Sequence, residues 1–273
     1  MRIKGIFEVS EGKLPILYRQ RFMDLIIMAL KEADINYKNS IYPDKDMHLK
    51  IAKPFAFSVL LPEEFICKKE KFKIDENFEV EDLVFAFRKG ESLSMYVSSC
   101  NPEFLLNLYN GLLKLGSFQF DEKLTLKINK IFMLNENKIN DSEIIYKTMS
   151  PILIETIDGK PILPIDVDGN LLKERELSIF NSNFNAIHDR ILKDIRGSSL
   201  YKELVFTPIK IKKQVVKHTL RDFREQTGKP YMTFTTFEGI FKIAGDPRDL
   251  KALYQMGIGL RTGQGFGMVE VIA

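Results

Sequence analysis

The sequence predicts an α+β protein in which one order of elements, strand, helix, two or more strands, helix and strand, occurs twice. The 273 residues suit two domains of about 100 to 150 residues each. Apolar stretches with a period of two alternate in each half with stretches of period three to four. A polar segment interrupts this periodicity near the middle of the chain. We therefore expect domains at 1–134 and 143–273, joined by a linker at 135–142.

The elements expected in the first half are a strand at 1–9, a helix at 18–29, a loop at 36–46, strands at 55–61, 83–88 and 92–97, a helix at 102–115 and a strand at 123–133. The first helix is amphipathic because its apolar residues recur every three or four positions. Gly90 lies in the short connection between 83–88 and 92–97, which predicts that these strands form a hairpin. Asn101 followed by Pro102 marks the start of the second helix.

The elements expected in the second half are strand residues at 144–156 and 162–163, a helical stripe at 180–191, strands at 204–216 and 231–243, a helix at 247–256 and a strand at 267–272. Asp246 and Pro247 are the preferred residue types at the start of the last helix. Each half thus has the element order of a ferredoxin-like, or RRM-like, βαββαβ domain.

Composition argues against several classes of protein. The net charge of +3 and the pI near 8.6 are too mild to indicate nucleic-acid binding by themselves. Cys67 and Cys100 are far apart and lie in no paired motif, which argues against a disulfide framework or a cysteine-rich zinc site. The N-terminal strand pattern lacks the apolar core of a signal peptide, and no apolar run reaches about 18 residues. We expect a cytoplasmic protein with no membrane association.

The segment 257–267 has the most distinctive composition, Gly-Ile-Gly-Leu-Arg-Thr-Gly-Gln-Gly-Phe-Gly. Its glycines are Gly257, Gly259, Gly263, Gly265 and Gly267. Exposed backbone N–H groups of such a loop can donate to phosphate oxygens, and Arg261 adds a charged donor. A tight turn into the last strand would also use glycines. A dinucleotide-binding motif is disfavoured because the loop follows a helix and enters a strand, which is the reverse of that motif.

The glycine-rich segment and the Met-Val that follows it resemble the C-terminal signature of the CRISPR-associated repeat-RNA endoribonucleases, the sixth Cas family. The residues at 149–152, Met-Ser-Pro-Ile, and at 53–58, Lys-Pro-Phe-Ala-Phe-Ser, extend the resemblance to both halves. The resemblance implies tandem ferredoxin-like domains that cut repeat RNA without a metal or other cofactor. It also implies CRISPR precursor RNA and mature guide RNA as partners, with an interference complex as a further partner; monomer and homodimer stay open.

The chemistry that the resemblance implies is attack by the 2′-hydroxyl of the RNA, which leaves a 2′,3′-cyclic phosphate and a 5′-hydroxyl. This reaction needs a base, an acid and cations near the phosphate. His48 is the first candidate for proton transfer, because the family commonly places its histidine in the segment after the first helix and an imidazole titrates near neutral pH. Lys53 matches the position of a catalytic lysine in some members, and Lys50 lies nearby.

The family often carries a catalytic tyrosine on the first helix, but the matching turn at 25–29 reads Leu-Ile-Ile-Met-Ala. Tyr42 and Tyr37 in the following segment are candidate substitutes, although a tyrosine in a loop is more often a partly packed aromatic residue. His188 lies at the border of a helical apolar stripe, where packing is the simpler interpretation.

A basic segment in the second half is the other candidate RNA contact, since a basic hairpin of the second domain meets the RNA stem in several relatives. Its members are Lys210, Lys212, Lys213, Lys217, His218, Arg221 and Arg224. These side chains would neutralise phosphates with a salt-dependent affinity. The alternative is an edge strand whose lysines prevent pairing with other chains. Arg19 and Arg21 on the first helix are further candidates, which a solvated helix face explains almost as well.

Three other functions remain as alternatives to the endoribonuclease. A protein of the same fold could bind repeat RNA without cutting it, and composition does not exclude this. A nucleotide-dependent enzyme is disfavoured because no Gly-Lys-Ser/Thr motif is present. A metal-dependent nuclease is disfavoured because Asp44, Asp46 and Asp75 show no recurrent ligand spacing, so we expect no metal site.

Overall fold

The computed structural model describes residues 1–10, 12–43, 52–88, 90–121 and 124–272. The elements of the first half are β1 (Arg2–Val9), β2 (Lys13–Pro15), α1 (Arg19–Ala33), α2 (Ile35–Ile41), β3 (Phe55–Leu60), β4 (Ile66–Lys73), β5 (Glu79–Ala86), β6 (Ser92–Ser99), α3 (Pro102–Leu115), β7 (Ser117–Gln119) and β8 (Thr125–Leu134). Those of the second half are β9 (Glu143–Thr148), α4 (Glu174–Arg196), β10 (Val205–His218), α5 (Arg221–Thr227), β11 (Met232–Ala244), α6 (Pro247–Met256) and β12 (Val269–Val271).

The first half is a sheet with two helices on one face. The strand order is β3-β6-β1-β8-β7, with antiparallel neighbours. Alternate residues of these strands, such as Phe7 and Met95, are fully buried against apolar residues of α1 and α3. The two helices cross closely at Gly111, where a Cβ atom would lie 1.8 Å from the backbone oxygen of Ala29. Leaving β7 aside, this is the strand order of a ferredoxin-like fold.

The second half repeats the arrangement with the strand order β10-β11-β9-β12. Its core contains aromatic residues of α4, β10 and β11, among them Phe180, Phe206 and Phe237, whose rings lie 5.0 to 6.1 Å apart. The predicted fold class, two ferredoxin-like units in tandem, is therefore confirmed. The proposed limits of the domains at 134 and 143 stay a prediction, although β8 ends at Leu134 and β9 begins at Glu143.

Two predictions about the first half are wrong. Strands β5 and β6 do not form a hairpin: β6 pairs with β1 and β3, whereas β5 pairs with β2 and β4 in a separate three-stranded sheet. The short connection through Gly90 therefore joins two sheets. Residues 35–41 form helix α2 instead of a loop, because the Asp34 side chain accepts hydrogen bonds from the backbone N–H groups of Asn36 and Tyr37 and caps it.

The two halves are joined at one end by a network centred on Arg2 of β1. This side chain is 2% exposed and forms an ion pair with Glu270 of the second half. Its guanidinium also donates to the backbone oxygen of Val269 at 2.7 Å and lies 4.4 Å from the centroid of the Tyr254 ring. Separating the buried Arg2 from these partners would cost free energy, because its charge would be left without compensation. The network therefore fixes the start of the first sheet against the last strand of the second.

Candidate nucleic-acid interface

The glycine-rich loop between α6 and β12 packs into the junction of the two halves. A Cβ atom at Gly263 would lie 2.9 Å from Cγ of Lys53, and one at Gly257 would lie 2.7 Å from Cβ of Ala56. Only glycine permits this approach of the loop to the segment before and within β3. The structure thus brings one predicted catalytic residue, Lys53, against the predicted RNA-binding loop of the other half.

The backbone N–H groups of four loop glycines already donate within the protein. The pairs are Gly257 to Leu253 O at 2.9 Å, Gly259 to His188 Nε2 at 2.9 Å, Gly265 to Thr262 O at 3.2 Å and Gly267 to Pro151 O at 2.8 Å. These N–H groups are therefore not directed at a phosphate, which corrects the mechanism expected for them. The glycines shape the loop, and an RNA contact by the loop stays a prediction that depends on the side chain of Arg261.

His188 of α4 anchors this loop from inside the second half. Its Nδ1 lies 2.7 Å from the backbone oxygen of Phe184, so Nδ1 carries the proton and Nε2 accepts the hydrogen bond from Gly259. The ring is fully buried, and this burial lowers the pKa of His188 to about 4. The packing interpretation of this histidine is confirmed.

We expect the protein to lose stability as pH falls from about 6.5 to 4, in part because of His188. An unfolded histidine with a pKa near 6.5 takes up a proton in this range, whereas the folded one stays neutral, so acid favours unfolding. The contribution is at most about 3 kcal/mol. Urea unfolding midpoints at pH 7 and 5 for wild type and His188→Gln measure it. A glutamine can still accept from Gly259, so the variant should show a shallower pH dependence; equal slopes would contradict the assignment.

Arg261 is the one non-glycine residue with positive φ among those described, at 59°. Such a conformation is strained and tends to occur at functional sites. The guanidinium of this exposed residue packs on a ring, 4.6 Å from the Phe234 centroid, and donates to Oε1 of Gln264 at 3.2 Å. Partial burial lowers the pKa of Arg261. The loop thus holds one cation in a fixed position on the surface of the junction.

Arg19 at the start of α1 supplies a second cation at the same junction. Its guanidinium lies 5.6 Å from the Phe266 ring centroid and 5.0 Å from that of Tyr18, and Nε donates to the backbone oxygen of Gly265 at 3.4 Å. These partners are neutral, so they leave the positive charge available. Arg19 and Arg261 therefore form a cationic site that combines α1 of the first half with the loop of the second.

His218 lies beneath this cationic site and not on the surface where the sequence predicts it. The side chain is 1% exposed, between the rings of Phe234 and Phe266 at 6.1 and 5.9 Å, and its Nε2 has no hydrogen-bond partner among the described residues. Burial, and then the charges of Arg19 and Arg261, lower the pKa of His218 to about 3. The histidine is neutral and supports the loop instead of contacting RNA directly.

The lysines of the basic strand β10 differ in exposure and in whether an acidic residue of the protein balances their charge. Lys210, Lys212 and Lys213 are exposed, with Lys212 3.3 Å from Glu238 of the neighbouring strand. Lys217, at the end of the strand, lies 2.6 Å from Asp82 of β5. Exposed lysines of this kind suit phosphate contacts, whereas the charge of Lys217 is balanced within the protein.

Arg224 of α5 is also engaged by the first half, which corrects the exposed position expected for it. The side chain is 4% exposed, and its guanidinium donates to Asp75 at 2.7 Å and to Gln20 at 3.1 Å. Arg221 is exposed and pairs with Glu225 on its own helix at 2.7 Å. Asp75 and Asp82, from the region of β4 and β5, therefore bind the basic residues Arg224 and Lys217 of the second half. No sequence pattern indicates this role for the two aspartates.

Lys53 is partly buried in the first half. Its amine donates to the backbone oxygen of Ile41 and lies 4.6 Å from the Tyr42 ring centroid. Burial lowers the pKa of Lys53 and raises that of Tyr42, whose hydroxyl has no partner among the described residues. The Tyr37 hydroxyl is similarly buried, and burial raises its pKa to about 12. His48 and Lys50 lie outside the described residues.

A cavity beside Lys53 opens between the two halves. Asn101 and Cys100 line it from the first half, and Arg196 and Met256 line it from the second. Both polar and apolar groups are therefore within reach of a ligand bound there. In the described ranges no group of three or more His, Cys, Asp and Glu side chains has the arrangement of a metal site. Nor does any helix in this part of the chain have the length and apolar composition needed to span a membrane.

Comparison with known proteins gives consistent results. The family model for CRISPR associated protein Cas6, C-terminal, matches residues 134–271. The chain is 24% identical to the CRISPR-associated endoribonuclease-like protein Cas6nc of Pyrococcus horikoshii over 211 residues, which are 76% of this chain and 77% of that protein.

Two solved structures share the fold over the whole chain. One, described as an RAMP protein binding different RNA substrates, has a TM-score of 0.70 at 16% identity and full coverage of both chains. Another, described as CRISPR associated protein Cas6, has a TM-score of 0.67 at 20% identity and covers 100% of this chain and 99% of its own. Since the family model spans just over half of the residues and includes the glycine-rich loop, the chain belongs to the CRISPR-associated Cas6 family.

Proposed function

We propose that this protein is an endoribonuclease that cuts CRISPR precursor RNA within the repeat and produces mature guide RNA. The observation that supports the proposal is the contact between Lys53 and Gly263, because it joins one candidate catalytic residue of the first half to the glycine-rich loop of the second. RNA held at Arg19 and Arg261 would thus lie next to Lys53.

The proposed chemistry is attack of a 2′-hydroxyl on the adjacent phosphorus, with loss of the 5′-oxygen and no metal. His48 would transfer the proton, since its ordinary pKa near 6.5 makes both protonation states accessible at neutral pH. Lys53, with Lys50 nearby, would stabilise the charge that develops on the phosphate. Tyr42 is the remaining candidate for a proton donor, and its ring already lies against the Lys53 amine.

The second candidate function is a Cas6-family protein that binds repeat RNA without cutting it. Two observations favour it: helix α1 carries no tyrosine at 25–29, and the Lys53 amine is engaged by the backbone oxygen of Ile41. Both functions use the same RNA-binding surface, so binding alone does not separate them.

The deciding experiment incubates the protein with the repeat RNA of its host in excess EDTA and maps the product ends at single-nucleotide resolution. Cleavage at one site that leaves a 2′,3′-cyclic phosphate and a 5′-hydroxyl is the expected result. Tight binding with no product would establish the binding protein instead. Cleavage that requires added Mg²⁺, or that leaves a 3′-hydroxyl, would contradict the proposed chemistry.

A further inference from the structure

The first-half sheet has one face covered by helices and another that is open over part of its length. Alternate residues of the strands, such as Phe7 and Leu93, are fully buried against α1 and α3. The residues between them, including Lys4, Ile6 and Tyr96, point to the opposite face and are only half-buried. A ferredoxin-like sheet keeps its second face open for contacts, so the composition of this face is informative.

Two aromatic rings and an amine form a row across three neighbouring strands of the open face. Lys4 of β1 lies opposite Tyr96 of β6 on one side and opposite Phe132 of β8 on the other. The Lys4 amine is 5.3 Å from the Tyr96 ring centroid, and Phe132 is 42% exposed. Neighbouring strands are about 4.8 Å apart, so the backbone positions that carry the two rings are about 10 Å from each other. This spacing leaves room for a separate base on each ring.

The charge on this face is positive beyond the aromatic row. Lys130 of β8 is exposed and lies opposite Ile6, so its direct neighbour does not balance its charge. Lys127, further along, lies opposite Glu8, and this pair is close to neutral. The face therefore presents Lys4 and Lys130 beside exposed rings, which is the combination that binds the backbone and bases of single-stranded nucleic acid.

The second half of the chain covers one end of this open face. There Arg2 is buried against Glu270, and the Ser58 hydroxyl donates to the backbone oxygen of Met149 at 2.6 Å. Ser58 lies opposite Tyr96 in the sheet, so the aromatic row begins where the cover ends. The aromatic row is therefore next to the contact between the two halves.

A second copy of the chain fits this face less well than RNA does. A twofold dimer places the same patch on both sides, and the Lys4 and Lys130 amines would then face like charges. A base-paired duplex is also a poor fit, because its bases are stacked inside the helix and cannot lie on protein rings. An unpaired RNA segment offers exposed bases to the rings and phosphates to the lysines.

We propose that the open face of the first-half sheet binds an unpaired segment of the RNA substrate, with bases stacked on Tyr96 and Phe132 and phosphates at Lys4 and Lys130. This inference rests on the proposed function for the identity of the RNA. It adds a binding surface outside the glycine-rich loop and the basic strand β10, and it names single-stranded RNA as the ligand.

The test measures equilibrium binding of a fluorescent single-stranded oligouridylate and of a hairpin RNA of equal length. Phe132→Ala should weaken binding of the single strand about 5- to 100-fold and leave the hairpin almost unaffected. Phe65→Ala is the matched control, because Phe65 is 43% exposed but lies before β4, away from this face. Tyr96→Phe keeps the aromatic ring of this half-buried residue, so it should not disturb folding. It should bind the single strand like wild type.

The other possible outcomes also test the proposed RNA-binding surface. If Phe132→Ala binds the single strand as tightly as Phe65→Ala does, the proposal is wrong. If wild type is a dimer that Phe132→Ala dissociates, the face is a contact between copies and the proposal is also wrong. If the protein does not cleave RNA but shows the expected differences in binding, the endoribonuclease proposal is wrong and the proposed binding surface stands. Failure of one proposal can therefore be distinguished from failure of the other.

Discussion

We expect His48→Ala to cut repeat RNA about 10²- to 10⁴-fold more slowly than wild type, because it removes the group that transfers the proton. The variant should bind the RNA with an unchanged dissociation constant, since Arg19, Arg261 and the lysines of β10 hold the phosphates. Single-turnover cleavage in EDTA with enzyme in excess isolates the chemical step. Addition of free imidazole should restore part of the rate, a response that loss of a merely structural residue would not show.

Lys53→Met provides the comparison for this experiment. Its side chain has similar length but no charge, so a role in stabilising the phosphate predicts slower cleavage without the imidazole response. Lys69→Met, at an exposed lysine of β4, is the matched control and should cut at the wild-type rate. Wild-type cleavage by His48→Ala would transfer the assignment to Lys53, Lys50 and Tyr42.

We expect Gly267→Ala to destabilise the protein far more than Gly197→Ala, although both glycines have nearly the same φ angle. Their φ angles are 71° and 74°, so alanine at either site costs about 1 to 2 kcal/mol of left-handed strain. A Cβ atom at Gly267 would also lie 2.1 Å from the backbone oxygen of Ile258, whereas nothing lies within 4 Å of one at Gly197. The crowding adds about 1 to 3 kcal/mol.

Urea unfolding of the two variants measures this difference, and RNA binding measures its consequence. Because Gly267 closes the loop through its hydrogen bond to Pro151, its displacement should also move Arg261 and weaken RNA binding. Gly197→Ala should bind RNA like wild type. Equal losses of unfolding free energy in the two variants would show that the loop relaxes around the added methyl group, and that its close packing is not essential.

The sequence is sufficient for features that depend on neighbouring residues. Asn101 and Asp246 are recognisable caps because each side chain accepts from N–H groups two or three positions later, and helices α3 and α6 begin where these residues predict. The helical stripe of α4 follows from its spacing in the same way. With these elements in order, the ferredoxin-like repeat and the family resemblance follow without coordinates.

The errors lie where the outcome depends on pairing between distant segments. A glycine between two strands is compatible with a hairpin, but β5 instead completes a sheet with β2 and β4 because those strands are its partners in space. The sequence cannot show that Arg224 would be buried against Asp75, 149 positions earlier. Nor can alternation alone reveal that Tyr96, Lys4 and Phe132 align, since their register is set by three separate strands.

The sequence by itself determined the main helices and strands of the two ferredoxin-like units and the Cas6 family, because periodicity, caps and the glycine-rich signature are local properties of the chain. Tertiary structure alone decided which charges face solvent and which are balanced inside. It buried His218 and Arg224 and placed Lys53 against Gly263. It also directed the N–H groups of four loop glycines to acceptors inside the protein. The physical reason is that burial and electrostatic balance depend on neighbours in space, which for Arg224 and Lys53 come from the other half of the chain.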